Sequence, residues 1–286
     1  MLINPYTEPE QNILKDGFLS SFVTYKSITS IVVKTFHIYK SKYAQLLMIS
    51  IIPFIPALIL ETFYNNELNS LFNFFLSGDS LETAQFPNVS FIAYILLLFQ
   101  FLLEPLAFAA MIIALGRIVI TQDTNIITAY YLALTRGYSL ILNVVIFYFF
   151  ILLFGFLSLY LIGAPLLIIW LIATIIYRHA IYFENSGPGF ALLRSIQLLV
   201  RSWKDLFKFS IPLLMVIIIQ LILTTIATSV TTSVAPFIHQ LISLISAPIV
   251  PIVTTLAYVH YRIKFENLSY VDYGNSVVNL GISNEE

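Results

Sequence analysis

One acidic residue stands alone within a long apolar part of the chain. Glu104 follows the charge-free stretch 83–103, and apolar character continues to about Leu115. A carboxylate near the centre of a bilayer costs about 2.5–3.5 kcal/mol, so it must face a bundle interior, take a partner or be protonated. Gln100 lies one turn earlier on the same helical face, and Pro105 frees a backbone carbonyl. These residues predict a proton or cation site. The alternative is a protonated glutamate bonded to a neighbouring helix.

A second group of candidate residues is basic and follows helical spacing. Between Leu192 and Lys208, apolar residues recur at steps of three and four, with basic residues on the opposite face. Such a helix lies on a membrane surface, where each Lys or Arg near anionic lipid contributes about 1 kcal/mol. The alternative is the ordinary excess of basic residues in cytoplasmic loops. The predicted contacts with anionic lipid are Arg194, Arg201, Lys204 and Lys208.

No pattern typical of catalysis, a cofactor or a metal occurs in the sequence. The chain has no cysteine, its four histidines are scattered, and it contains no HExxH, GxSxG, P-loop or GxGxxG motif. We therefore expect a protein that is not an enzyme and holds no cofactor or metal. A catalytic pair of acids for hydrolysis would have to come from the four acids predicted outside the membrane, Glu61, Glu67, Asp79 and Glu82. Their spacing in the sequence does not predict that any two of them lie close together.

The composition is typical of a membrane protein. Hydrophobic residues make up 59% of the 286 residues and charged residues only 10%, whereas a soluble domain has about 25% charged residues. This combination excludes a disordered chain, and so few charges could not cover the surface of a soluble globular domain. The net charge of −1 gives no reason to expect nucleic acid as a partner.

The charge-free stretches predict an all-α bundle of six membrane-spanning helices. Each span needs about 20 mostly apolar residues, and the stretches 137–177 and 209–261 are each long enough for two. We place the first break at 163–165 and the second near Pro236, which can open a helix. The predicted spans are 44–64, 89–116, 138–162, 165–183, 206–233 and 237–261, with an outer loop at 65–88.

The basic residues give the orientation of this bundle. All 14 Lys and Arg residues fall on one side of the six-span map, before the first span, between spans 2 and 3, around the connection of spans 4 and 5, and after span 6. The positive-inside rule then places both termini in the cytoplasm. The chain forms a single membrane domain, 1–286, with cytoplasmic tails at 1–17 and 262–286.

An amphipathic segment precedes each odd-numbered span. The first covers 18–42, the second is a shorter stretch before Arg136, and the third is the basic helix that leads to Trp203. We predict that these segments lie in the plane of the cytoplasmic face. We also hypothesise three repeats of one unit, made of an interfacial helix, a span, an outer loop and a span. The alternative is that any polytopic protein shows such joins.

Two short segments resemble a known family. The segment 184–195, followed by Trp203, resembles the region after the fourth span in bacterial proteins related to the membrane domain of glycerophosphoryl diester phosphodiesterase; its sequence is ENSGPGFALLRS. The stretch 258–266 is similar to the closing segment of that family, although His260 and Lys264 depart from it. The resemblance implies a six-span protein of the bacterial inner membrane. It does not imply catalysis, because the activity of that family lies in a separate barrel, and such barrels need about 250 residues.

The first of these segments also suits a joint between two helices. Pro188 cannot continue the preceding helix, and the residue before it avoids the α region. Glu184 and Arg194 could pair across this turn. We interpret the segment as a structural motif whose members are Glu184, Gly187, Pro188, Arg194 and Trp203.

These observations favour a non-enzymatic membrane protein that organises lipid or protein partners at the cytoplasmic membrane. Its expected partners are membrane lipids, another protein or further copies of itself. Two alternatives remain. The first is a small secondary transporter or channel with Glu104 as its ion or proton site, and the second is the membrane subunit of an export complex.

Overall fold

The computed structural model describes residues 28–76, 88–119, 125–158, 162–174, 176–201, 203–230 and 235–266. All of the secondary structure in this part of the chain is helical, as predicted. The predicted tails lie outside the described residues, apart from 262–266. The helices are α1 (Ile28–Phe63), α2 (Asn65–Leu76), α3 (Phe91–Val119), α4 (Ile126–Thr135), α5 (Gly137–Ser158), α6 (Gly163–Ala173), α7 (Tyr177–Phe183), α8 (Pro188–Arg201), α9 (Trp203–Val230), α10 (Ala235–Ser246) and α11 (Ile249–Glu266).

Five helical segments in the described residues are long and apolar enough to cross a membrane, which is consistent with a multi-pass membrane protein. Each of them overlaps one of the predicted spans. The last combines α10 and α11, which are separated by a turn at Ala247 and Pro248. The five segments are Ile28–Phe63, Phe91–Ile118, Gly137–Ser158, Trp203–Ile226 and Phe237–Glu266.

The span predicted at 165–183 is not one continuous helix. It is divided into α6 and α7, and the 11 residues of α6 rise only about 16 Å, roughly half of a bilayer core. At the break, the Thr174 hydroxyl donates to the carbonyl of Trp170 at 2.8 Å, a local bond that competes with regular helix. The apolar composition predicted the length of this region but not the interruption.

The predicted outer loop, 65–88, also contains regular structure, because α2 occupies its first half. The Glu67 carboxylate accepts a hydrogen bond from the Ser90 backbone N–H at 2.7 Å. Ser90 immediately precedes α3, so a negative charge lies at the N-terminus of that helix, where the helix dipole favours it. This contact ties the connection between α1 and α3 back to the bundle.

Short breaks separate helical segments where the sequence predicts a change from interfacial helix to span. Within α1, Lys42 has non-helical dihedral angles (φ −122°, ψ 17°). Arg136 lies between α4 and α5 with φ −112° and ψ 25°. The third predicted join, Trp203-Lys204, lies at the start of α9, and α8 ends at Arg201. The first half of the interfacial helix predicted at 18–42 lies outside the described residues.

The C-terminal helix α11 forms the centre of the bundle. Every residue from Pro251 to Tyr261 is buried, and α11 packs against α1, α3, α8 and α9. Small residues on α3 allow close helix packing; those that are fully buried include Ala107, Ala109, Ala110 and Ala114. By contrast, α9 exposes most of its apolar side chains, as expected for a helix that faces lipid.

Two tyrosines bind backbone carbonyls near the proline-containing parts of the bundle. Pro53 has no N–H for the carbonyl of Ile49, and the Tyr130 hydroxyl donates to that carbonyl at 2.7 Å. The Tyr39 hydroxyl donates at 2.7 Å to the carbonyl of Ile245, in the last turn of α10. These bonds satisfy backbone groups that helix bends and helix ends leave open. They fix the walls of the cavity described below.

Candidate functional site

A polar cavity of about 340 Å³ lies between α1, α3, α9, α10 and the start of α11. Its volume lies within the range of small-molecule sites, about 300–1,000 Å³. Apolar and aromatic side chains form most of the wall, including Phe54 and Phe108. The polar side chains that line it are Ser50, Gln100, Glu104, Gln220, Gln240 and Ser243.

Helix spacing explains how these polar groups converge. Gln100 and Glu104 are four residues apart on α3 and therefore share one face. Gln240 and Ser243 are three residues apart on α10, and Gln220 reaches the cavity from α9. Sequence reasoning identified the α3 pair but missed the other two amides. Gln220 and Gln240 are each the one side-chain amide in a predicted span, and this feature of the sequence could have identified them.

Glu104 is exposed in this wall, whereas Gln100 is partly buried. No hydrogen bond or ion pair to the Glu104 carboxylate occurs in the described part of the chain. Gln100 Oε1 is buried and has no hydrogen-bond partner among the described residues. A buried polar atom without a partner costs about 1–3 kcal/mol. The bond from Glu104 to a neighbouring helix, the alternative considered from the sequence, is not present here.

A cluster of three residues, the Glu61 cluster, adjoins the cavity. His239 Nδ1 lies 2.8 Å from Glu61 Oε1, and the Gln240 side-chain amide donates to the other oxygen of Glu61. Gln240 therefore belongs both to this cluster and to the cavity wall. Nothing in the sequence organised Glu61, because its partners are about 180 residues away along the chain.

Five polar residues form a closed network, the Arg194 network, at the other end of the bundle. Arg194 binds Glu184 at 2.8 Å and Glu266 at 2.6 Å. Arg262 lies 3.1 Å from Glu266 and 3.5 Å from Glu184. The Tyr258 hydroxyl donates to Glu184 at 2.6 Å. Two carboxylates and two guanidinium groups balance one another, and the pair expected between Glu184 and Arg194 is part of a larger assembly.

The Arg194 network joins the two segments that carry the family resemblance. Glu184 and Arg194 belong to the first segment, and Tyr258, Arg262 and Glu266 to the second. Partial burial opposes the charge of Arg194, but its hydrogen bonds to Glu266 and Glu184 outweigh that effect and raise the pKa of the guanidinium. The side chains of Arg194 and Glu184 are only 16% and 13% exposed. The sequence motif is therefore a fixed contact between α8 and α11.

The other predicted members of that motif lie at helix ends. α8 begins at Pro188, in agreement with the predicted joint. Gly187 is exposed in the turn before it, close to Asn185, which has a positive φ of 51°. Trp203 begins α9 and is exposed, and the Lys204 ammonium lies 5.8 Å from the centre of its ring.

The four basic residues predicted to contact lipid do not share one environment. Arg194 is engaged in its network, and Lys208 binds the buried Asp205 at 2.7 Å. Asp205 is also bound by Lys264. Arg201 and Lys204 remain exposed at the junction of α8 and α9. The sequence pattern predicted the periodicity of these residues but not which of them face acidic partners.

Comparisons with known proteins add no functional assignment. No family model matches the chain, and neither a curated protein nor a solved structure is significantly similar to it. Groups of three or more His, Asp or Glu side chains that could hold a metal are absent from the residues described above. The cavity, the Glu61 cluster and the Arg194 network are therefore the features from which a function can be inferred.

Proposed function

We propose that this protein is a small secondary transporter, with the polar cavity as its solute site and Glu104 as its proton or cation site. One observation carries the proposal: the Glu104 carboxylate, which has no hydrogen-bond or ion-pair partner among the described residues, lines a 340 Å³ cavity between apolar helices. Ionisable residues within a membrane are expensive and usually mark ion or substrate pathways. In this proposal the chain has no enzymatic activity and needs no cofactor.

The arrangement that this proposal requires is a six-span protein of the bacterial inner membrane with both termini in the cytoplasm. The segments α6 and α7 together serve as the fourth span, and Thr174 and Ile176, which lie between them, are both buried. Interrupted membrane helices are tolerated where protein covers them. The one-sided distribution of the 14 basic residues supports this orientation. A relation to the membrane domain of the phosphodiesterase family is part of the proposal.

The three-unit repeat also belongs to this proposal. In each unit an interfacial helix leads into a span; in the first two units the helix is interrupted at Lys42 and at Arg136. The returning span is broken in the second and third units, between α6 and α7 and between α10 and α11. Interfacial helices would then anchor the bundle at the cytoplasmic face.

A second candidate function is the organisation of anionic lipid or of a protein partner at the cytoplasmic face. The observation that favours it is the exposed group of Arg201, Lys204 and Trp203 beside the apolar side chains that α8 exposes, such as Phe190 and Val200. Two of the four predicted basic contacts, Arg194 and Lys208, are bound to acids. The remaining charge is small for a lipid-organising surface, so we rank this function below transport.

Filling the cavity tests the transport proposal. We expect Ala57→Phe to lower uptake roughly tenfold or more, because a phenyl ring at this wall position occupies the solute volume. Ala57 lines the cavity from α1, whereas Ile55 of the same helix is 53% exposed. Ile55→Phe therefore adds the same ring on the outer surface and should leave uptake unchanged.

The measurement is uptake of a pooled set of small amines, amino acids, carboxylates and sugars into proteoliposomes under a proton gradient of either polarity. Mass spectrometry identifies the solutes that enter faster than in protein-free vesicles. Thermal melting checks that both variants remain folded. The proposal is overturned if no pooled solute enters faster than in protein-free vesicles, or if the folded Ala57→Phe variant transports like the wild type.

A further inference from the structure

We infer that the cavity binds an organic cation that carries N–H donors, such as a primary ammonium or guanidinium compound. The inference rests on the proposed function and specifies the class of its solute. It follows from three properties of the wall, which are its charge, the hydrogen-bonding groups that remain open, and its size.

The charge of the wall excludes an anion. Among the described residues that line the cavity, Glu104 is the one ionisable side chain, and none is Lys, Arg or His. Arg178 stacks on Phe108, with its guanidinium 4.7 Å from the ring centre, but it does not line the cavity. An anionic solute would therefore meet a carboxylate without a counter-charge in a medium of low dielectric constant. A cation would neutralise Glu104.

The wall offers open hydrogen-bond acceptors beside Glu104. The Gln220 side-chain amide donates one N–H to the Ser246 hydroxyl, and the Gln240 amide donates one N–H to Glu61. Their carbonyl oxygens remain open, as does the second N–H of each amide. The Ser50 hydroxyl donates to the carbonyl of Leu46 at 3.1 Å, so its lone pairs remain as well.

Gln100 completes this set of acceptors, because its buried Oε1 lacks a donor among the described residues. An ammonium group offers three donors and no acceptor, and a guanidinium offers five donors. Such a group supplies the donors that Glu104 and the glutamine carbonyls lack. A neutral solute with both donors and acceptors would leave the carboxylate uncompensated.

The size of the cavity favours an organic cation over a bare metal ion. A volume of 340 Å³ corresponds to about 11 water molecules at roughly 30 Å³ each. A bare calcium ion, by comparison, needs six to eight oxygen ligands that converge at about 2.3–2.6 Å. The apolar wall, which includes Phe54 and Leu244, suits the carbon skeleton of an organic solute. The face of an aromatic ring such as Phe54 also attracts the positive charge of the solute.

The experiment measures thermal unfolding of the full chain in lipid nanodiscs with four probes of similar length: butylammonium, butylguanidinium, butyrate and butanol. Ionic strength is held constant with potassium chloride. We expect at least one of the two cations to raise the melting temperature by about 2–4 °C at millimolar concentration, and butyrate and butanol to have no effect. The shift should disappear in Glu104→Gln and shrink in Gln100→Leu, which removes an acceptor but no charge.

The inference is overturned if butyrate or butanol stabilises the protein as much as the cations do, if no cation gives a shift, or if the shift persists in both variants. Its failure is distinguishable from failure of the transport proposal. If a carboxylate or a sugar is taken up and Ala57→Phe blocks this uptake, the transport proposal is supported and the inference of a cationic solute is contradicted. Conversely, if butylammonium binds but no solute is taken up, the inference of a cationic ligand is supported and the transport proposal is contradicted.

Discussion

Replacing Glu104 with glutamine is expected to reduce solute uptake to the level of protein-free vesicles without lowering the stability of the fold. Glutamine has nearly the same shape as glutamate but can neither carry a charge nor exchange a proton. Because the described residues provide no ion-pair partner for Glu104, the substitution breaks no salt bridge. It also removes the cost of placing a carboxylate within the membrane. Activity and stability should therefore respond differently.

The measurement is the initial rate of solute uptake by proteoliposomes, together with the melting temperature of the same preparation. Glu104→Asp is the chemical control, since it keeps the carboxylate and should retain measurable uptake. Uptake by Glu104→Gln at the wild-type rate would contradict the assignment of Glu104. A large loss of thermal stability in Glu104→Gln would indicate a structural role instead.

The largest effect on stability is expected from Arg194→Leu. This substitution leaves Glu184 and Glu266 close together with one guanidinium, Arg262, in place of two. Removing one partner of a buried ion pair costs about 3–5 kcal/mol. Since these side chains are 13–16% exposed rather than fully buried, we expect a cost near the lower end, about 3 kcal/mol.

Arg201→Leu is the matched control, because Arg201 is an arginine of the same helix whose side chain is exposed. Its substitution should change stability by less than about 0.5 kcal/mol. Adding Glu184→Gln to Arg194→Leu should restore part of the loss, because Glu266 then stays paired with Arg262 and no carboxylate is left in excess. Equal losses of melting temperature in Arg194→Leu and Arg201→Leu would contradict the role of the network.

The features that sequence reasoning anticipated depend on local pattern. The isolation of Glu104 and the four-residue spacing of Gln100 singled out two residues that line the cavity, and their role as a proton or cation site stays a prediction. The inability of proline to continue a helix placed the start of α8 at Pro188. Apolar length located all five of the long membrane-compatible segments.

The features that it missed depend on contacts between distant segments. Apolar length cannot register the break between α6 and α7, because both pieces are equally apolar. Periodicity placed Arg194 on a basic face, yet that side chain turns towards Glu266, 72 residues further along the chain. Gln220 and Gln240 become a site only when α9 and α10 meet α3. One-dimensional spacing contains none of this information.

If the cavity around Glu104 is a solute site, water must reach it from one side of the membrane, and cysteine labelling tests this directly. Because the sequence has no cysteine, Ser243→Cys and Leu241→Cys each introduce a single thiol on α10. Ser243 lines the cavity, whereas Leu241 is 40% exposed on the outside of the helix. The reagent is a membrane-impermeant cationic methanethiosulfonate, applied to each side of sealed vesicles.

We predict that the thiol at position 243 reacts from one side, that the transported solute slows this reaction, and that the thiol at position 241 stays unreactive in the lipid. A position-243 thiol that is no more reactive than the one at 241 from either side, or one that the solute does not protect, would contradict the account.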